Sequence, residues 1–97
     1  MWFKEVEQDN GIVTTVPCGD DRPVERWQTV TTVGPMRVST VFLGLDHWGM
    51  LYETMVFEKD GPFDFECERY ATRAEAIEGH KVVVARWESL VAAKIDG

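Results

Sequence analysis

Short strand-like runs broken by turn residues make up most of this chain, and only its last quarter follows a helical period. The first segment, Phe3 to Val16, is interrupted by Asp9-Asn10-Gly11. Asn-Gly accepts the positive φ values of a type I′ turn, so this segment predicts a hairpin. Pro17-Cys18-Gly19-Asp20-Asp21-Arg22-Pro23 reads as a loop, because two prolines and a glycine oppose regular pairing. Val24 to Val33 is rich in Thr and Val and is turned by Gly34-Pro35. Met36 to Leu45 is apolar on both faces at Val38, Val41, Phe42, Leu43 and Leu45, which predicts a central, well-covered strand. A turn at Asp46-His47-Trp48-Gly49, a strand from Met50 to Glu58 and a turn at Lys59-Asp60-Gly61-Pro62 follow. In the last strand Phe63, Phe65 and Cys67 alternate with Asp64, Glu66 and Glu68, which predicts a half-buried strand with a wet acidic side.

At Thr72 the period changes. Thr72-Arg73-Ala74-Glu75 is a capping box, in which each side chain can bond the other residue's amide. At 100° per residue, Ala76, Ile77, His80, Val83, Val84, Trp87, Leu90 and Val91 share one face of a helix running from Thr72 to Lys94. Strands joined by short turns pair antiparallel. The expected fold is therefore α+β: an antiparallel meander of four to six strands with one C-terminal amphipathic helix packed on one face. At 97 residues this is one domain, 1–97.

Composition adds the setting. Seventeen acidic residues against ten basic ones give a net charge of −7. A field of that sign opposes phosphate backbones and anionic lipid, so neither nucleic acid nor membrane is an expected direct partner. It serves solubility, or it imitates the charge of nucleic acid toward a protein that binds it. Met1-Trp2-Phe3-Lys4-Glu5 meets charge at once and does not read as a leader, and Cys18 and Cys67 read as two thiols of a cytoplasmic protein.

Val38-Ser39-Thr40-Val41-Phe42-Leu43-Gly44-Leu45-Asp46-His47, Tyr52-Glu53-Thr54-Met55-Val56-Phe57, Arg69-Tyr70-Ala71-Thr72, Glu75-Ala76 and Gly79-His80 occur in that order. In these words the chain resembles a family of small uncharacterised proteins of tailed bacteriophages and prophages. The resemblance covers about half of the chain and implies a setting, the cytoplasm of an infected bacterium. It implies no mechanism.

Candidate chemistry is sparse. Asp46 and His47 sit beside Trp48 in a turn, where a carboxylate and an imidazole could form an acid–base pair or Asp46 could simply cap the turn. His80 lies in the helix's apolar stripe. It is either a buried neutral imidazole bonded to the sheet or a site residue facing Asp46 or Glu53. Gly79 beside it weakens the helix, and a close approach to the sheet would compensate. Cys18, His47, Cys67 and His80 are spread singly, without the paired spacing of a zinc site, and phosphate-binding loops and serine nucleophile elbows are missing. No metal and no cofactor is expected.

Trp48 at a turn is either a protein-binding anchor or a lid folded over the sheet edge. The leading expectation is a non-enzymatic accessory protein that binds a host or phage protein through Trp48, His47 and the acidic row Asp64, Glu66 and Glu68. The alternatives are a small enzyme using His47 or His80 with Asp46 and Glu53, and a structural protein that self-associates, as a homodimer, through a strand edge.

Overall fold

The structure is a computed structural model that describes residues 1–23, 26–58 and 64–96, excepting the side chains of His47, Asp64, Phe65 and residues 94–96. The expected turn at 59–62, Phe63, and the start of the third expected strand at Val24 and Glu25 lie outside the described residues. Among the described residues, six antiparallel strands and one helix follow in chain order. They are β1 (Trp2–Glu7), β2 (Val13–Gly19), β3 (Gln28–Val33), β4 (Met36–His47), β5 (Met50–Glu58), β6 (Asp64–Tyr70) and α1 (Arg73–Asp96). The fold is α+β with an open sheet, and α1 lies on one face of it. Among the described residues no helix is long and apolar enough to cross a membrane.

β3, β4, β5 and β6 form the expected meander. The N-terminal hairpin departs from it. β1 pairs β2 along its length but joins the body through β4, at the single pair Trp2–Leu45. β3 and β1 thus share one edge of β4, and β1 diverges where β3 takes that edge over. β4 accommodates both by bulging between Phe42 and His47, against a nearly regular β5. Gly44 supplies the bulge with φ +77°, and a Cβ there would sit 3.1 Å from Pro23 and 3.4 Å from Trp2.

Two expectations about loops are corrected. The first hairpin does not turn on a type I′ Asn-Gly pair. The Gly11 amide donates to the Gln8 carbonyl at 2.9 Å and Gly11 alone takes positive φ, which is the wider three-residue loop closed by a glycine bulge. Pro17 and Cys18 are not loop but belong to β2. An outermost strand tolerates a proline because half of its amides have no strand to donate to.

The core lies between the sheet and α1. Val33, Met36, Val38, Val56 and Val83 pack as one cluster beneath Val84, Trp87 and Val91. Phe42, Leu51, Tyr52 and Ala76 pack as another, with Phe3, Trp27 and Tyr70 around them. Thr72 caps α1 by accepting from the Glu75 amide at 3.2 Å. The return bond of the expected box goes elsewhere: the Thr72 hydroxyl donates to the Glu75 carboxylate at 3.0 Å. Leu90, expected in the buried stripe, is 51% exposed, and Ile77 lies at its margin.

Gly79 is the close approach that its sequence context suggested. A Cβ at this position would lie 2.3 Å from the ring of Tyr70, so only a glycine lets the helix rest on that ring.

Candidate functional site

The β4–β5 turn is built from Asp46 to Met50. His47 pairs Met50, leaving Trp48 and Gly49 at the tip with φ of 58° and 81°. Positive φ at both positions is the type I′ geometry that matches strand twist. Asp46 Oδ1 accepts from the Gly49 amide and fixes the turn, which is the capping role open to it in the sequence. Trp48 does not fold back over the sheet. The residue is 98% exposed, and Leu45 and Met50 beside the turn are each 38% exposed.

His80 is buried under α1. Nδ1 lies 2.7 Å from the Thr40 hydroxyl and Nε2 2.9 Å from the Thr31 hydroxyl, so a neutral ring donates to one and accepts from the other. Thr40 in turn bonds Thr54. Burial pushes the His80 pKa below its ordinary value.

Glu53 is on the opposite face of the sheet, since Thr54 beside it points to the helix. There it accepts from Arg69 Nε at 2.9 Å. Asp46 at the tip, His80 under the helix and Glu53 on the far face are not brought together. The His47 side chain lies outside the described residues. Cys18 Sγ donates to the Asp21 carbonyl and Cys67 is exposed on the far face. Among the described residues no three potential metal ligands cluster.

The acidic row is reversed relative to its expected orientation. Register pairs Glu66 with Val56 and Glu68 with Thr54, which places both on the helix face and Cys67 on the open face. Glu66 is half-buried and accepts from Trp87 Nε1 at 2.9 Å and from Arg86. Arg86 also reaches Glu68, at 3.7 Å. The physical reason is that α1 supplies an indole N–H and a guanidinium, which make partial burial of a carboxylate tolerable. The Asp64 side chain lies outside the described residues.

Sequence reasoning missed a second polar cluster. Glu5 of β1 accepts from Tyr52 Oη at 2.6 Å, from Arg73 Nε at 2.8 Å and from Arg73 Nη2 at 3.0 Å. The guanidinium also lies 4.8 Å from the centre of the Trp27 ring. Burial, and then the bond to Glu5, push the Tyr52 pKa well up. Beside this cluster the hairpin and the start of α1 enclose an open cleft of about 750 Å³, lined by Ile12, Val13, Thr15, Ala74 and Ile77 among others. The only sequence signal was the alternation of Phe3 and Glu5 on one side of β1, which leaves their partners unspecified.

No family profile, curated protein or solved structure matches this chain.

Proposed function

We propose that this protein is a binding module that presents Trp48, at the tip of the β4–β5 hairpin, to a pocket on a protein partner. The observation that carries this reading is Trp48 itself, which is 98% exposed at φ 58°. A left-handed backbone costs a non-glycine residue about 1–2 kcal/mol, and asparagine or glycine suits this turn better. Full exposure of an indole adds nothing to the core. The first feature opposes stability and the second contributes nothing to it, and a large aromatic on a pre-formed turn is what an anchor requires. The net charge of −7 favours a partner whose pocket has a basic rim, such as a protein that also binds nucleic acid. The proposed setting, the cytoplasm of a phage-infected bacterium, rests on the sequence words alone. The enzyme reading has less to stand on, because Asp46, Glu53 and His80 occupy three separate places.

Trp48→Asn separates function from folding. The variant is expected to melt at the same temperature or higher, by about 0.5–1 kcal/mol of added stability. As bait in a bacterial lysate, it is expected to lose a protein that the parent chain retains. Equal retention by both chains, or no specific protein on either, would refute the proposal.

A further inference from the structure

Outermost strands of a sheet are commonly guarded by charge, proline or distortion. β2, β3 and β6 are the outermost strands here. β6 carries Asp64, Glu66, Glu68 and Arg69, and β2 carries Pro17. β3, Gln28-Thr29-Val30-Thr31-Thr32-Val33, has neither charge nor proline and runs in unbroken register with β4. Among the described residues its outer edge is unpaired and unguarded, in a chain that is otherwise densely charged.

We infer that β3 is the dimerisation edge of this protein, and that its occupant is β3 of a second copy. Three observations select that occupant. First, any antiparallel register of β3 with itself sets uncharged residues against uncharged ones, so the mutual repulsion of two acidic chains is smallest here. Second, the groove between this edge and α1 is lined by Lys81 at the Gln28–Thr29 end and by Glu88 at the Thr31–Gly34 end. A twofold axis near the middle of β3 reverses these ends, which brings Lys81 of each copy beside Glu88 of the other. Ile77, Val84 and Val91, spaced by seven, line the same groove and in this arrangement would lie along the seam between the two helices. Third, twofold pairing consumes both unguarded edges and closes the assembly, so the edge does not propagate into a filament.

Sedimentation velocity on the full chain from 1 to several hundred micromolar, roughly the range of weak to firm association, is expected to give a dimer. Val30 is 46% exposed and Thr32 is exposed, so Val30→Lys with Thr32→Lys leaves the fold intact, as circular dichroism would verify. Placing lysines across the axis is expected to weaken association roughly 100-fold. Lys81→Glu is expected to weaken it roughly 10-fold, and adding Glu88→Lys to restore it. Trp48→Asn leaves the dimer unchanged. A parent chain that stays monomeric throughout would overturn the inference. So would a dimer indifferent to lysines on β3, which would place the interface elsewhere.

Discussion

His80 and Gly79 are adjacent, and each is constrained by the sheet in its own way. His80 bonds two threonine hydroxyls and faces no carboxylate among the described residues, so nothing there offsets the loss of hydration of a charged ring. Its folded pKa is lowered below the unfolded value near 6.5. The unfolded chain then binds the proton more tightly, so the contribution of His80 to stability is present above that value and lost as pH falls through the depressed folded one. Urea melts of the parent and of His80→Asn are expected to differ less at pH 5 than at pH 7.5; a gap independent of pH would mean that the ring titrates alike in the folded and unfolded chains, and a gap wider at pH 5 that the fold favours the charged ring. At neutral pH, His80→Ala is expected to cost about 1–3 kcal/mol through lost bonds and a cavity. Gly79 gives a test of opposite appearance. Alanine should favour the helix by about 1 kcal/mol, yet its Cβ would enter the Tyr70 ring. Gly79→Ala is expected to destabilise by about 1–3 kcal/mol net, and to become neutral or stabilising in a Tyr70→Ala background.

Among the elements, β5 and α1 were the most legible in the sequence, and the reason is local. The bounds of β5, Met50 to Glu58, follow from two flanking turns and a run of strand-forming residues. The start of α1 follows from the Thr72–Glu75 cap. β6 was legible as a strand but not in its facing. Alternating carboxylates read as the wet side because water is their usual partner, whereas Glu66 finds an indole N–H and a guanidinium on α1. Arg86-Trp87, adjacent on a helix with one member needing an acceptor, was the available signal. The attachment of β1 to β4 was not legible at all, because pairing between distant strands leaves no period in either one. Of the candidate site, the exposed Trp48 was legible only as one of two alternatives. Its exposure depends on both positive φ values at the tip, and a tryptophan there gives no such hint in advance.

At the scale of the molecule, the hairpin and the body are held together by few bonds. Among the described residues, one backbone pair, the packing of Trp2 at Gly44 and of Phe3 in the core, and the Glu5–Arg73–Tyr52 cluster connect β1 and β2 to a body whose own strands pair continuously. Local opening should therefore detach the hairpin at lower free energy than global unfolding requires. Amides of β1 and β2 are expected to exchange hydrogen well before those of β4 and β5, whose faces carry the core. Glu5 is the residue that couples the two parts, with its side chain 14% and that of Arg73 26% exposed. Glu5→Gln removes the charge that both partners answer to, at about 1–3 kcal/mol. The consequence is specific to the fold: exchange in the hairpin should accelerate roughly 10- to 100-fold while β4 and β5 keep their rates. Equal acceleration in all four strands would mean that hairpin and body open as one unit. In that case the Trp2–Leu45 pair and Phe3, rather than the polar cluster, would hold the hairpin in place.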